Sequence, residues 1–397
     1  MAEDVRFPRE IWVLVVSAVA VSLGYGIVAP VLPQYAKSFG VTTTAAATVV
    51  VSAFAFMRLA FAPVSGSLSH RFGERAMYMT GIVAVAASSA ASALAQSYWQ
   101  LLVVRALGGI GSVMFSVAAM SLIIKLSPVH ARGRASAAYG SGFLLGSILG
   151  PSVGGLLAPL GFRWPFIIYA VLLLVSAVIV GFAVPANADG HVHSTDVEPV
   201  RTPMTVREAL ELRRFKIVLL TAFAQGWTNF GVRVAVVPLL AASLPGAPTW
   251  LPGGALMAFA AGSAVALTRS GYFSDVYGRK YTVVAGLLVS GVFTVLMGVW
   301  DSASFMMVAS FMGGVGSGAI QPAQQGAVAD VIGSRPGSKV VSFFQQAADL
   351  GQILGPIAAG VMIDFSGYLL AYVFSGAILI AVGLAWIVGV RERGRQF

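Results

Sequence analysis

The chain has 397 residues, of which 57% are hydrophobic and only 10% charged, with a formal net charge of +10. A water-soluble domain carries roughly 25% charged residues to cover its surface, so this composition excludes an ordinary soluble protein and makes lipid the solvent. The chain has no cysteine, which excludes disulfides and thiolate metal sites.

Residues 1–10 are mixed in charge, and the first apolar run leads straight into further ones. It therefore reads as a retained span rather than a cleaved signal peptide. A membrane helix needs about 20 predominantly apolar residues. Twelve predicted spans satisfy this: 10–36, 45–69, 76–95, 99–126, 133–159, 163–184, 214–243, 251–274, 280–299, 304–330, 338–363 and 368–390. Glycine and proline inside them are tolerated because neighbouring helices re-satisfy freed backbone groups. The one long polar stretch, with Asp189, His191, His193, Asp196, Glu198 and Pro199, reads as a linker ending in a short amphipathic segment, Val206 to Leu212. The expected organisation is an all-α membrane protein: a six-helix bundle over 1–184, a cytoplasmic linker over 185–213 and a second six-helix bundle over 214–397.

The four histidines, His70, His130, His191 and His193, fall in polar segments, so no metal site and no cofactor are expected. With both termini placed in the cytoplasm, 19 of the 25 Lys and Arg lie on that side, and the outer loops hold only Lys37 and Arg163. That asymmetry is a positive-inside signal. It accounts for the net charge without a nucleic-acid partner and implies a multi-pass protein with both termini in the cytoplasm; the Ala-, Val- and Gly-rich composition reads as that of a high-GC bacterium, so the expected location is the bacterial inner membrane.

The two sides of the linker match at one shift of 205 residues. Gly66-Ser-Leu-Ser-His70-Arg71-Phe-Gly73-Glu74-Arg75 matches Gly271-Tyr-Phe-Ser-Asp275-Val-Tyr-Gly278-Arg279-Lys280. Gly108-Gly-Ile-Gly-Ser112 matches Gly313-Gly-Val-Gly-Ser317, and Gly146-Ser-Ile-Leu-Gly150-Pro151 matches Gly351-Gln-Ile-Leu-Gly355-Pro356. Gly26 with Pro33 matches Gly231 with Pro238. Ordered matches at one offset imply two pseudo-symmetric halves with a site near the midplane at their interface.

These residues resemble the major facilitator superfamily, and within it the twelve-helix drug:proton antiporters of the bacterial multidrug efflux type. The loop between the second and third spans is similar to the family's gating motif, at Gly66, His70, Arg71, Gly73 and Arg75, with Asp275 and Arg279 in the second half. The family's acidic gate residue is replaced here by His70, whereas Asp275 keeps it. The fourth span resembles the family pattern at Leu101, Arg105, Gly108, Gly109 and Gly111. The fifth resembles the antiporter motif at Gly142, Gly146, Gly150, Pro151, Gly154 and Gly155. Bare GxxxG spacing is common in membranes, but the full pattern on this span favours export over import or uniport of a metabolite or lipid on the same fold.

A charge inside the bilayer costs at least a few kcal/mol and is a functional candidate by default. Arg58, Arg105, Arg233 and Asp349 lie well inside spans. The resemblance implies that the second and eleventh spans pack together, so Arg58 and Asp349 form a candidate pair, with Asp349 as proton carrier and Arg105 as the motif arginine. Arg233 aligns with Val28 and so breaks the repeat, which makes it a candidate for the substrate cavity. Other cavity candidates are Tyr25, Asn229, Phe230, Gln321, Gln324 and Gln345, since glutamine hydrogen-bonds without fixing a charge. Three buried arginines against one aspartate bias the cavity toward neutral, zwitterionic or anionic molecules. The expected function is proton-coupled export of small amphipathic molecules by alternating access, in a protein that is not an enzyme and works as a monomer. Its partners are a small-molecule substrate, protons and the lipid bilayer.

Overall fold

A computed structural model describes residues 7–127, 132–157, 160–184, 204–333, 335 and 337–389. Every regular element among them is helical. In chain order these are α1 (Arg9–Val28), α2 (Leu32–Lys37), α3 (Thr44–Phe72), α4 (Glu74–Ala93), α5 (Tyr98–Leu126), α6 (Arg132–Leu157) and α7 (Trp164–Ala183). Then follow α8 (Val206–Glu211), α9 (Arg213–Gln225), a π-helical stretch (Gly226–Val232), α10 (Arg233–Ser243), α11 (Leu251–Tyr277), α12 (Arg279–Val299), α13 (Ala303–Ile332), α14 (Ser338–Ser366) and α15 (Tyr368–Gly389). Ten of these helices are long and apolar enough to cross a membrane. The two other expected spans are occupied by α6 and by the continuous run of α9, the π stretch and α10. Large apolar side chains stand exposed along the helices, for example Val178 at 56% and Val388 at 75%; a bilayer is the solvent that accepts such a surface.

Two expected spans are less regular than a single α-helix. The first breaks at Ala29–Val31 and resumes as α2, because Pro30 and Pro33 each lack the N–H that an unbroken helix would use. The seventh carries the π stretch, whose wider turn rotates the residues that follow it away from α-helical register. The first predicted span and its repeat partner therefore differ in shape although they match in sequence.

The repeat is otherwise visible in the element boundaries. Shifted by 205, α4 becomes 279–298 against the observed Arg279–Val299, and α5 becomes 303–331 against Ala303–Ile332. Packing follows the same rule. In the first half α1 lies on α6 and α7, and α4 lies on α5 and α7; in the second, α9 and the π stretch lie on α14 and α15, and α12 lies on α13 and α15.

The helices separate into two compact units, residues 1–41 with 53–196, and residues 42–52 with 197–397. Within the second unit the first turns of α3 rest on α14. Ser52 donates to the Ile353 carbonyl at 2.7 Å. The Asp364 carboxylate accepts the backbone N–H groups of Thr44 and Ala45 at 2.6 and 2.9 Å, capping the helix.

Small residues set the closest seams. Without a hydrophobic drive between helices in lipid, association depends on close van der Waals fit. In the first unit Gly142, Gly146, Gly150 and Gly154 run down α6 at four-residue steps against α1. A Cβ at Gly146 would stand 2.4 Å from the Val19 carbonyl oxygen, and one at Gly150 would stand 2.5 Å from that of Leu23. Gly26 is pressed by Pro151 in the same seam. In the second unit the equivalent Gly231 is pressed by Pro356, and Gly351 and Gly355 meet the backbone of Phe223 and Trp227.

The turns into α4 and α12 are built alike. Gly73 and Gly278 adopt φ 85° and 96° with ψ 150°, a region essentially confined to glycine. The basic residue two positions on ties each turn to the last helix of its unit: Arg75 donates to the Gly181 carbonyl at 2.6 Å and Lys280 to that of Ile387 at 2.9 Å. Between them sits an ion pair whose signs are inverted. Glu74 pairs with Lys125 at 2.7 Å, while Arg279, at the Glu74 position, pairs with Asp330, at the Lys125 position. Asp330 also binds Arg214 at 3.0 Å. The first arrangement puts an acid at a helix start and a base at a helix end, each favoured by the helix dipole by about 0.3–1 kcal/mol. The second opposes the dipole at both ends and depends on the pairing itself. Outside the bundles, α8 is held by Arg335, whose guanidinium hydrogen-bonds Glu208 at 2.8 Å and lowers that carboxyl below its ordinary range.

Gly146→Leu is expected to abolish folded protein, whereas Gly140→Leu on the same helix, where a Cβ meets nothing within 4 Å, is expected to behave as wild type; size-exclusion profiles and melting curves in detergent check this. Glu74→Lys should lower the melting midpoint, since it leaves like charges facing each other at a cost of about 2 kcal/mol, and adding Lys125→Glu should recover most of it. A double mutant no better than the single one would refute the pairing.

Candidate functional site

Among the described residues, each unit buries one guanidinium. In the first, Arg105 on α5 is 2% exposed, with its Cζ 4.8 Å from the ring centre of Phe54 on α3. Tyr25 on α1 lies beside the same ring, 6.0 Å between centroids, and Tyr169 on α7 completes the enclosure. Gly109 makes room by touching the Phe54 backbone, where a Cβ would stand 2.2 Å from the carbonyl oxygen. The flat cation thus faces an aromatic quadrupole in place of water.

In the second unit Arg233, the first residue of α10, is 3% exposed, and its Cζ lies 4.0 Å from the ring centre of Phe259 on α11. Phe259 is the repeat partner of Phe54, and Gly314 touches its carbonyl oxygen as Gly109 touches that of Phe54. Tyr372 on α15 faces the guanidinium, as Tyr169 on α7 faces Arg105. The arginines themselves are not repeat partners: Arg105 aligns with Ser310, and Arg233 with Val28. Two mismatches that look unrelated in sequence are therefore one exchange. The cation over the conserved-offset phenylalanine comes from the fifth helix in one unit and from the helix after the π stretch in the other.

A polar stripe accompanies Arg233. Gln225, Asn229 and Arg233 recur at four-residue steps and are all buried. Asn229 donates to Gln225 and, at 3.0 Å, to Ser317 on α13. Ser317 in turn donates to Gln225 at 3.2 Å. Gln324, also buried, donates to the Val218 carbonyl at 3.3 Å. Gln321, Gln345 and Phe230 are exposed, Phe230 at 52%. Of the expected cavity residues, then, Asn229, Arg233 and Gln324 line the buried interior of the second unit, and Tyr25 belongs to the arginine enclosure of the first.

Arg58 is half-buried on α3 in the first unit and Asp349 half-buried on α14 in the second. Among the residues expected to form the gate, Arg71 lies 5.5 Å from the Phe72 ring centre, and Gly73, Arg75 and Arg279 build the turns described above. The side-chain positions of Gly66, His70, Asp275 and Gly155 lie outside the described residues. The sequence reading missed the aromatic residues around the arginines, Phe54, Tyr169, Phe259 and Tyr372, and, at the turns, Lys125 and Asp330. For the last two the signal was present: both the motif position, Glu74 against Arg279, and its partner invert sign at the same 205-residue offset.

The sequence profile of the Major Facilitator Superfamily matches residues 14–268 and 249–396. The chain is 26% identical to the quinolone resistance protein NorA of Staphylococcus aureus strain MRSA252 over 370 residues, 90% of each chain. It is 24% identical to the multidrug resistance protein MdtG of Salmonella paratyphi A over 403 residues, 96% of each. Among solved structures it shares its fold with a D-xylose-proton symporter, with a TM-score of 0.79 at 16% identity over 98% of this chain and 99% of that one. It also matches a bacterial homolog of the human lysosomal transporter Spinster, in an inward-facing occupied conformation, with a TM-score of 0.78 at 14% identity over 96% of each. With repeat, buried charges and profile in agreement over nearly the whole chain, this is a multi-pass membrane transporter that belongs to the Major Facilitator Superfamily.

Proposed function

We propose that this chain is a proton-coupled exporter of small amphipathic molecules, drugs or metabolites, that works by alternating access as a monomer. In this reading it sits in a bacterial inner membrane with both termini in the cytoplasm. The observation that carries export is the glycine seam of α6 on α1, where Gly142, Gly146, Gly150 and Gly154 admit backbone contact at every turn and Pro151 lies against Gly26. That is the helix on which the antiporter pattern falls. The two relatives, named for quinolone and multidrug resistance, support the same direction. The excess of Lys and Arg in the segments assigned to the cytoplasm supports the orientation.

Protonation supplies the coupling in this reading. Asp349 is an ionisable carboxylate within a membrane-spanning helix, and ionisable residues placed there mark proton relays. Its charged form favours a neighbouring cation, for which Arg58 is the candidate, and its protonated form releases it. Protons bound from the outside and released to the inside then bias the two access states against each other. Arg105, held flat against Phe54, keeps a fixed positive charge in the first unit. The gating turns at Gly73 and Gly278 are the rigid ends about which the helices move, with His70 in the place of the usual acid and Asp275 retaining it.

In everted vesicles or proteoliposomes, an acid interior should drive accumulation of a fluoroquinolone or of ethidium, and a protonophore should abolish it. Transport that ignores the gradient, or runs only inward in intact cells, would sink the exporter reading. Asp349→Asn should bind substrate but lose gradient-driven transport. Arg105→Ala should lose transport at wild-type yield, and Arg105→Lys should restore only part, because an ammonium keeps the charge without the flat stacking face.

A further inference from the structure

Arg233 is more deeply committed than its repeat context requires. Its Nε and Nη1 have no hydrogen-bond partner, and among the described residues it forms no ion pair. An unpaired charged donor is among the costliest groups to bury. Its neighbours share the deficit. The hydroxyls of Tyr372 and of Ser310, which precedes Gly313 by one turn on α13, also lack partners. Gly313 leaves the space that the guanidinium occupies, since a Cβ there would lie 3.0 Å from Nη2. Phe259 covers the face of the cation, and the Nε and Nη1 donors on its edge are buried without a partner. Unpartnered buried polar groups thus gather in the second unit: the Arg233 donors, the Tyr372 and Ser310 hydroxyls and, one turn before Arg233 on the same stripe, the Asn229 Oδ1 acceptor, with no negative charge among them. One face of α13 continues from buried Ser310 through Gly313 and Ser317 to exposed Gln321, a polar track that ends at the surface.

We propose that Arg233, with Tyr372 and Ser310, is a binding site for the carboxylate of an amphipathic organic acid or zwitterion. A guanidinium and two hydroxyls supply donors, and a carboxylate supplies acceptors with the charge that the site lacks. The apolar body of the ligand then lies along the Phe259 side. This deepens the exporter reading by assigning the substrate class, and for the transport step it rests on that reading.

The test compares 2-naphthoate with the isosteric neutral 2-naphthamide on purified full-length protein, by tryptophan-fluorescence quenching or calorimetry. Wild type should bind the acid about tenfold or more tightly than the amide, the difference expected for a charge-assisted contact. Arg233→Gln should erase that preference, and Tyr372→Phe, which removes one hydroxyl and no volume, should reduce it severalfold. Arg233→Lys should retain part of it. Equal binding of acid and amide by wild type would overturn the proposal even if Arg233→Gln failed to fold. So would loss of both ligands together in a folded Arg233→Gln protein, which would make the arginine a water-satisfied structural cation. Proton-driven ethidium efflux, measured in parallel, keeps the two readings apart: efflux with no acid preference defeats this site alone, and acid preference without any proton-driven efflux defeats the exporter reading alone.

Discussion

Backbone-to-backbone contact at glycine is the constraint on which the bundles depend. In lipid, apolar side chains gain nothing by leaving the solvent, so helices adhere only where their surfaces fit closely. The seam of α6 on α1 and its counterpart on α14 answer this by removing the side chain at the contact line. The Pro151–Gly26 and Pro356–Gly231 contacts fix the same crossing in both units. Once that distance is set, the remaining helices inherit their positions, and the polar groups they carry are buried with them. Each buried arginine meets an aromatic face, at 4.8 or 4.0 Å, which offsets part of the cost of its burial.

Pseudo-symmetry here is preserved in chemistry more faithfully than in sequence. The phenylalanine under each guanidinium obeys the 205-residue offset, and so does the glycine beneath it, while the arginine does not. The helix that delivers Arg233 is preceded by a π-helical stretch that its partner α1 lacks. The wider turn provides the rotation by which a residue on the seventh span reaches an environment that in the other unit is served from α5. The two enclosures differ in their surroundings, although each arginine has an unpartnered Nε. Arg105 sits among tyrosines Tyr25 and Tyr169, whereas Arg233 shares its surroundings with further donors that have no partner.

Much of this was legible in the chain itself. Apolar run lengths placed the helices to within a few residues, because bilayer thickness leaves few other solutions, and the offset located the glycine seams and the paired turns at Gly73 and Gly278. Arg105 and Arg233 declared themselves as charges where charge is costly. Three things were not legible. The break after α1 needed the combined effect of Pro30 and Pro33, and membrane helices often absorb a single proline. The π stretch has no composition that distinguishes it from an α-helix. The rotation of each span about its axis, which separates buried Gln324 from exposed Gln321, is set by tertiary fit and leaves little trace in low-contrast apolar sequence.

The inverted ion pair bears on how such a chain finds its own partners. Two halves of similar sequence, emerging one after the other, offer each helix a near-copy of its true neighbour. Were α4 to meet α13, Glu74 would face Asp330; were α12 to meet α5, Arg279 would face Lys125. Both mistakes bring like charges together, and both correct encounters bring opposite ones, so the sign reversal disfavours the mispaired contacts. The arrangement in the second half, unfavourable to both helix ends, is the cost of keeping the two pairings distinct.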